Sequence, residues 1–236
     1  MAQLDLKLDG NVAIVTMNEG ENRLNLDICL SLLEMLDRVE HETGALALIV
    51  TSGHEKIWVN GFDTDWIDAR LAANDTATVK QFLLKDIELR RRLLLYPLTT
   101  ICAINGHIFG GGAVLSLCFD FRFMRVDRGF FCVPVADRNF PLLPGTGALV
   151  KQVLPPHMIS SILLTGRRYT SAECLANHVI TAAFDTAQFM EKAVEFAHTA
   201  KKNRWIVGEL KRVLNGDVVK LMEEDARYLE SGKVCV

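Results

Sequence analysis

The chain has 236 residues, of which half are hydrophobic and 23% are charged, and its formal net charge is −3. A chain of this length predicts one large domain, or one domain with an appendage. The small acidic excess argues against nucleic acid as a partner, because no broad basic face is available. The longest low-charge segment, residues 98–119, contains polar residues and glycines that break it, so no membrane span is expected.

The cysteines are scattered and form no C-x-x-C pair, which argues against a metal site. Four of them lie inside apolar runs, so we expect buried, reduced thiols, which are typical of a reducing compartment. The N-terminus shows no basic region followed by an apolar stretch, and therefore no secretory signal. We predict a cytoplasmic protein without a metal. The six cysteines are Cys29, Cys102, Cys118, Cys132, Cys174 and Cys235.

The first half of the chain alternates between strand and helix patterns. Residues 3–8 and 12–17 predict a β-hairpin. Apolar residues at helical spacing predict a helix over 26–41, and the apolar run ALALIVTS that follows predicts a buried strand. A long helix is predicted over 75–95, where Tyr96-Pro97 ends it.

The second half begins with another buried strand, LTTICAIN, which leads into three glycines and a helix-like run, and then FRFMRV predicts a strand. The remainder is mostly helical, with predicted helices at 146–153, 157–164, 171–177, 187–201 and 204–230, the last broken near Asn215-Gly216. Strands alternating with helices indicate an α/β protein. The predicted strands stop near Phe184, which divides the chain into residues 1–184 and a helical region, 185–236.

The triple glycine in FGGGAVL lies at a strand-to-helix turn. No Gly-Lys-Ser/Thr follows, so it is not a P-loop, and Leu115 stands where a dinucleotide fingerprint needs glycine. Free N–H groups at a helix N-terminus hold an anion, or an oxygen that becomes anionic during a reaction. Tight packing between helix and strand explains the glycines equally well.

A second turn favours the first of these explanations. The segment WVNGFDTD also has a glycine after a strand-like run and before a helix. Two such turns that converge supply two backbone N–H donors, which is the geometry of an oxyanion hole.

Five motifs, in order, resemble the crotonase superfamily, the enoyl-CoA hydratase/isomerase group. They are VAIVTMNEGENRLN, LALIVTSGHEKIWVNGFD, AINGHIFGGGAVLSLCFDFRF, PLLPGTGALVKQVLP and LLTGRRYTSAECLANHVI. The resemblance implies a crotonase-type ββα spiral core over residues 1–184 and a helical C-terminal region, 185–236, that supports oligomerisation or covers CoA. It also implies a homotrimer or a dimer of trimers. NRLN and VNGFD look most like the monofunctional enoyl-CoA delta isomerases.

The resemblance also implies site residues. The backbone N–H groups of Asn60 and Gly111 would hold the thioester carbonyl of an acyl-CoA. Arg23, Leu24 and Asn25 would lie along the CoA arm, and Asp63 would border the adenine. Coenzyme A would be carried by the substrate, so no separate cofactor is expected.

The hydratase pattern is broken at two positions, because Val114 and Val135 stand where the family has its two glutamates. A hydratase needs both carboxylates, whereas moving a double bond from position 3 to position 2 of an acyl-CoA needs one base. Asp137 is the nearest candidate for that base; the alternative is that it pairs with Arg138 or caps a turn. We expect an isomerase, and keep a catalytically reduced acyl-CoA-binding homologue, or another CoA-thioester reaction such as hydrolysis or decarboxylation, as alternatives.

Other polar residues favour structural roles. His107 is expected to be structural, Asp65 to cap a helix, and Asp120 to be a hydrogen-bond partner. Residues 90–92, three arginines, are expected on a solvated helix face. Four cations of the C-terminal region either meet CoA phosphates or lie on a cationic surface: Lys201, Lys202, Arg204 and Lys211.

Overall fold

The computed structural model describes residues 2–232. Its strands are β1 (Leu4–Asp9), β2 (Val12–Met17), β3 (Ala47–Ser52), β4 (Ile57–Asn60), β5 (Thr99–Ile104), β6 (His107–Phe109), β7 (Phe121–Arg125), β8 (Phe131–Cys132) and β9 (Ala182–Phe184). Its helices are α1 (Leu26–Glu42), α2 (Thr64–Ala72), α3 (Thr76–Leu94), α4 (Gly110–Ser116), α5 (Pro144–Val153), α6 (Pro156–Thr165), α7 (Ser171–Ala176), α8 (Phe189–Ala200) and α9 (Arg204–Glu230). The predicted α/β class is confirmed.

The larger sheet has six strands in the order β1-β2-β3-β5-β7-β9. Strand β1 pairs with β2 as an antiparallel hairpin, and the other strands run parallel. Every residue of β3 and β5 is buried, which explains why both segments are almost continuously apolar in the sequence.

A smaller parallel sheet, in the order β4-β6-β8, was not predicted as a sheet. Its strands have four, three and two residues, which is too short for a periodic pattern to show in the sequence. This sheet matters for function, because both glycine turns follow directly on its strands.

Helix α8 belongs to the core. Its buried residues Phe189, Ala193 and Ala197 recur every four positions and pack in one cluster with Ile49 and Phe123 of the large sheet. The other face of the sheet supports the main cluster, to which α1, α3 and α4 contribute. The C-terminal region after residue 184 therefore supplies one layer of the fold, whereas its part in oligomerisation or CoA binding stays a prediction.

Helix α9 is continuous over 27 residues, so the break predicted near Asn215-Gly216 was wrong. The Asn215 amide donates to the Leu94 carbonyl at 2.7 Å, at the end of α3, so this residue ties two helices together. Gly216 adopts helical backbone with open space around its α-carbon. Helix packing overrides the weak local propensity of the Asn-Gly pair.

Two of the C-terminal cations are structural. The Lys211 ammonium is buried, donates to the Leu98 carbonyl at 2.8 Å and pairs with Asp120 at 2.7 Å. The Arg204 guanidinium donates to the carbonyls of Glu40, Thr43 and Ala45, at the end of α1. Neither side chain is free to meet CoA phosphates as placed here. Arginines near a helix C-terminus satisfy its last carbonyls in this way.

The arginine run at residues 90–92 is not a solvated face, and this prediction was wrong. Arg90 is buried and pairs with Asp86 at 2.7 Å. Arg91 pairs with Glu223 of α9. Arg92 pairs with two acidic residues of α1, Asp37 at 2.9 Å and Glu40 at 2.5 Å. Arg91 and Arg92 thus join α3 to α9 and α1.

Five of the cysteines are buried as free thiols, as predicted: Cys29, Cys102, Cys118, Cys132 and Cys174. Cys235 lies outside the described residues. No helix within residues 2–232 is long and apolar enough to cross a membrane. Over the same range, no group of three or more His, Cys, Asp or Glu side chains is placed to hold a metal ion.

Candidate active site

The two glycine turns meet because two parallel strands end side by side. In the small sheet, Asn60 at the end of β4 is paired with Phe109 at the end of β6. The next residues, Gly61 and Gly110, therefore leave the sheet together. A Cβ atom built on Gly110 would lie 3.7 Å from the Gly61 α-carbon, and one built on Gly61 would lie 3.7 Å from the Gly111 nitrogen. The convergence predicted from the two motifs is present.

Both packing and backbone exposure account for the triple glycine. A Cβ atom on Gly112 would lie 2.4 Å from a Val59 methyl, so this glycine permits α4 to approach β4. Gly110 has a φ of +50°, which favours glycine. Gly111 is the second residue of α4, so its N–H lies in the first turn and has no acceptor within the helix. The two explanations left open by the sequence therefore apply to different glycines.

The partner of the Gly111 N–H differs from the prediction. The Asn60 N–H donates to the Glu21 carbonyl at 3.1 Å, so it is already in use and does not serve as a free donor. The Leu24 N–H donates to the Gly61 carbonyl, and the Asp63 N–H donates to the Leu24 carbonyl. These two hydrogen bonds form a parallel β-bridge between Leu24 and Phe62. In such a bridge, the residue between the two hydrogen-bonded residues of its strand points its own N–H away from the partner strand.

That intermediate residue is Phe62. Its N–H donates to no acceptor within residues 2–232. Among the described residues, the N–H group left to act with that of Gly111 is therefore that of Phe62 and not that of Asn60, a shift of two residues along the turn. The role of these groups as donors to a thioester oxygen stays a prediction. The sequence carried no signal for the shift, because it depends on which N–H of the turn is taken by the segment around Glu21.

The Phe62 ring forms the wall beside these two N–H groups. A Cβ atom on Gly111 would lie 2.6 Å from two carbons of this ring. The ring makes edge-to-face contacts with Phe82 of α3 at 5.1 Å and with Phe140 at 5.7 Å between centroids. The Arg90 guanidinium lies 6.0 Å from its centroid. Sequence reasoning overlooked both Phe62 and the side chains of α3 that touch it.

The two positions at which the family has its hydratase glutamates lie in apolar surroundings. Val114 of α4 is buried, and Val135 is half-buried against the main core cluster. Asp137 lies nearby in sequence, on an exposed turn. Its carboxylate packs against Gly166, since a Cβ atom there would lie 2.2 Å from Asp137 Oδ2. The contacts described for Asp137 thus lie at the end of α6 and not at the glycine turns.

The residues predicted along CoA are engaged with the protein. Arg23 pairs with Glu21 and Asp65, both at 2.8 Å. Leu24 is fully buried, and both of its backbone polar groups are used in the bridge described above. Asn25 caps α1 through Ile28 N at 3.1 Å.

Asp63 caps α2 through Trp66 N at 3.2 Å and accepts from the Asn25 amide at 3.3 Å. It therefore takes the capping role that was predicted for Asp65. The contacts of these four residues with CoA stay predictions, and Arg23 is the one whose charged group is substantially exposed.

Glu21 holds the end of β4 in place through hydrogen bonds to Asn60. Its carboxylate accepts the Asn60 amide at 2.8 Å and the Arg23 Nε at 2.8 Å, and these two donors hold its pKa below the usual value. The same residue accepts the Asn60 N–H through its carbonyl. Glu21 therefore fixes the strand end from which the Gly61–Phe62 turn begins.

The other two polar residues singled out in the sequence are placed as follows. Asp120 accepts the Thr100 N–H at 2.7 Å, as predicted. His107 stacks between Phe109 and Phe130, and burial, reinforced by Arg168 and Arg128, lowers its pKa. Within the described residues its buried Nδ1 has no hydrogen-bond partner. This surrounding favours a neutral imidazole that packs as an aromatic ring.

This combination of sheets, glycine turns and ordered motifs is found again in a known family. A family model described as enoyl-CoA hydratase/isomerase matches residues 7–233. The chain belongs to this family. The enoyl-CoA hydratase/isomerase family includes curated relatives that span nearly the same length. The chain is 26% identical over 232 residues to enoyl-CoA delta isomerase 3 of Arabidopsis thaliana, covering 95% of this chain and 97% of the relative.

A second relative of the enoyl-CoA hydratase/isomerase family carries a different activity in its name. Carnitinyl-CoA dehydratase of Escherichia coli is 25% identical over 233 residues, covering 97% of this chain and 86% of the relative. Identity to the two relatives is thus nearly equal, although one is named an isomerase and the other a dehydratase.

Solved structures confirm the crotonase-type fold. A probable enoyl-CoA hydratase of Mycobacterium tuberculosis superposes with a TM-score of 0.87 at 18% identity, covering 97% of this chain and 95% of that one. A second structure of that same mycobacterial protein, described there as an enoyl-CoA isomerase, gives a TM-score of 0.85 at 18% identity and covers 97% of both chains. At this identity the likeness establishes the fold alone.

Proposed function

We propose that this chain is an enoyl-CoA delta isomerase, which converts a 3-enoyl-CoA into a 2-enoyl-CoA. The observation that carries the proposal is the convergence of the Phe62 turn with the start of α4, the helix in which Val114 replaces a hydratase carboxylate. The full-length similarity to a plant enoyl-CoA delta isomerase supports it.

The chemistry requires little of the protein. A carboxylate base removes a proton from carbon 2, which lies between the thioester carbonyl and the double bond. The electron pair moves onto the thioester oxygen, and the two N–H groups stabilise that charge. In related sites one such donor contributes about 2.7–4 kcal/mol. The base then returns the proton at carbon 4, which leaves the double bond at position 2.

Hydration requires more than this site offers. A hydratase needs two carboxylates to hold a water molecule, deprotonate it and protonate the substrate. Both family positions for those carboxylates are valine here, and a valine side chain can neither hold nor deprotonate a water molecule. Asp137 is the base predicted from the sequence, but its carboxylate lies against Gly166 on an exposed turn, which favours a base elsewhere.

A second candidate function is binding without turnover. The two valines and the exposed position of Asp137 favour it, because each removes a carboxylate from the expected place. Such a homologue would bind an acyl-CoA through the same two N–H groups. Hydrolysis or decarboxylation of a CoA thioester is a further alternative that uses the same pair of donors.

The test supplies the purified chain with a 3-enoyl-CoA and follows the conjugated thioester by its ultraviolet absorbance, while calorimetry measures binding. Conjugation supports the isomerase. Binding without conjugation favours the non-catalytic homologue, and free CoA in the product favours hydrolysis. Decarboxylation is tested separately with a CoA thioester that carries a free carboxylate, because a 3-enoyl-CoA has none to lose. Light scattering on the same sample tests the predicted homotrimer or dimer of trimers, which would cover exposed apolar side chains of α9 such as Val213 and Leu214.

A further inference from the structure

One face of α3 lies against the Phe62 ring. Phe82, Asp86 and Arg90 follow each other at intervals of four residues, so they share one side of the helix. Phe82 contacts the Phe62 ring at 5.1 Å, and the Arg90 guanidinium lies 6.0 Å from the same ring. Asp86 stands between them on this face. A carboxylate is therefore positioned on the helix face that packs against the Phe62 ring.

The Asp86 carboxylate is fixed through one oxygen and unused at the other. Its side chain is about 6% exposed, and Oδ2 lies 2.7 Å from the Arg90 guanidinium. Among the described residues, Oδ1 is buried without a hydrogen-bond partner. Arg90 in turn reaches the Thr146 hydroxyl at 3.4 Å, at the start of α5. A general base must bring an oxygen within hydrogen-bond reach of the proton that it removes, and Oδ1 is the Asp86 oxygen that no described protein group occupies.

The surroundings of this pair are apolar. Cys29 of α1 and Cys118, which follows α4, lie close enough for Asp86 to help raise their pKa values, although burial is the main cause for both. Burial raises the pKa of Asp86 as well, and Arg90 opposes that rise. A buried ion pair is weak evidence for stability, since well-packed apolar residues serve as well or better. The buried Oδ1 without a hydrogen-bond partner is itself destabilising, so it is further evidence against the explanation that the pair serves only to stabilise the fold.

We propose that Asp86 is the base that carries the proton from carbon 2 to carbon 4 of the 3-enoyl-CoA, and that Arg90 is its positioning residue. This inference rests on the proposed isomerase function. In the first half of the reaction, the carbon 2–hydrogen bond breaks, the proton goes to Asp86 Oδ1, and the electron pair moves to the thioester oxygen. In the second half, Asp86 gives the proton to carbon 4 and returns to the carboxylate, so no oxidant or co-reactant is consumed.

The proposal replaces Asp137 as the base. Asp137 lies on an exposed turn, where its carboxylate packs against Gly166. Asp86 instead shares a helix face with two residues that touch the Phe62 ring.

The experiment incubates the wild-type chain and three variants with 3-enoyl-CoA in deuterated buffer. It records the conjugated product by absorbance and deuterium at carbon 2 of recovered substrate by mass spectrometry. The variants are Asp86→Asn, Asp137→Asn and Asp225→Asn. Asp225 is the matched control, a buried carboxylate whose oxygen accepts the Gly145 N–H, a role that asparagine preserves. Thermal melting verifies that each variant is folded.

We expect Asp86→Asn to lower kcat about 100-fold or more with little change in KM, because a base contributes about 10²–10⁴-fold. The rate of deuterium exchange at carbon 2 of the substrate should fall together with kcat. Asp137→Asn and Asp225→Asn should keep both rates near those of the wild type. If Asp86→Asn keeps kcat within about threefold of the wild type, the base assignment is wrong and the isomerase proposal survives. If the wild-type chain neither conjugates nor exchanges, both proposals fail together.

A second variant separates a structural role from a catalytic one if Asp86→Asn does not fold. The double variant Asp86→Leu/Arg90→Met replaces the ion pair by apolar side chains, which usually keeps or raises stability. A folded double variant that binds the thioester without conjugating it supports the proposal. A folded double variant with full activity overturns it.

Discussion

The ring of Phe62 lies against the α-carbon of Gly111, so closely that a methyl group there would come within 2.6 Å of two ring carbons. The side chain of one proposed donor thus occupies the space that a side chain on the other would need. Glycine at position 111 and phenylalanine at position 62 therefore fit each other, and a side chain added at position 111 would displace the ring or α4.

The first prediction concerns Gly111→Ala. The added methyl group pushes the Phe62 ring or α4 away, so the two N–H groups no longer meet one oxygen. We expect activity to fall about 10²–10³-fold, as it does when one donor of an oxyanion site is lost. Steady-state kinetics with 3-enoyl-CoA measures the effect.

Gly147→Ala is the matched control. Gly147 lies inside α5 and has open space around its α-carbon. Alanine there should leave activity unchanged and stabilise the fold by about 0.5–1 kcal/mol. Equal activity of the two variants would show that the Phe62–Gly111 contact has no part in the reaction.

A second prediction is that Phe62→Ala changes acyl preference. The variant keeps the backbone N–H and removes a half-buried ring that contacts Phe82 and Phe140. We expect KM to fall for longer or branched acyl chains relative to short ones. Urea titrations should show that Phe62→Ala lowers the free energy of unfolding by about 2–3 kcal/mol. This loss is smaller than the ~3–5 kcal/mol lost when a fully buried phenylalanine is replaced by alanine. Phe140→Ala, which removes a more exposed ring, serves as control, and an unchanged chain-length profile in Phe62→Ala would contradict the prediction.

A third prediction tests how α9 is held. Lys211→Met leaves the Leu98 carbonyl and Asp120 without their buried partner. Removing one member of a fully buried pair costs about 3–5 kcal/mol. We expect less than about 3 kcal/mol, because the Asp120 side chain is 26% exposed and keeps its bonds to Thr100. Urea unfolding measures the loss. Lys220→Met, at an exposed position of the same helix, should stay within about 0.5 kcal/mol of the wild type, and a similar loss in both variants would refute the role of Lys211.

The fourth prediction concerns alkaline pH. Burial raises the pKa of Cys118 to about 12 from an ordinary value of 9.0, so the unfolded chain loses this proton at lower pH than the folded chain. The stability that this thiol supports is present below pH 9 and is lost as the pH rises towards about 12. The unfolding free energy of the wild type falls as the pH rises over that window. In Cys118→Ala the slope of this fall should be smaller by roughly 1 kcal/mol per pH unit. An unchanged slope in urea titrations at several pH values would contradict the assignment.

Long, strongly patterned elements could be predicted from the sequence, and short ones could not. The apolar runs of β3 and β5 and the helical spacing in α1 and α3 are visible because many residues share one pattern. The small sheet escaped prediction because its strands are too short to show one. The continuity of α9 through Asn215-Gly216 also depends on contacts with α3 that no local pattern reveals.

The candidate site follows the same division. The two glycine turns and the missing glutamates at 114 and 135 are sequence features, and their meeting could be predicted. The shift from Asn60 to Phe62 depends on the Asn60 N–H being taken by Glu21, a contact between segments 39 residues apart in the chain. Asp86 was overlooked because its place on α3 suggests an ordinary helix charge until the contacts of Phe82 and Arg90 with Phe62 are known.

The most direct test of the central claim is the ratio of conjugated 2-enoyl-CoA to its hydrated product when the purified chain is given a 3-enoyl-CoA. Absorbance reports the conjugated thioester, and mass spectrometry reports the addition of water. The structure predicts conjugated product with no hydrated product above the level of buffer alone, because Val114 and Val135 replace the carboxylates that hold water. Hydrated product formed at a rate comparable to conjugation would contradict the account.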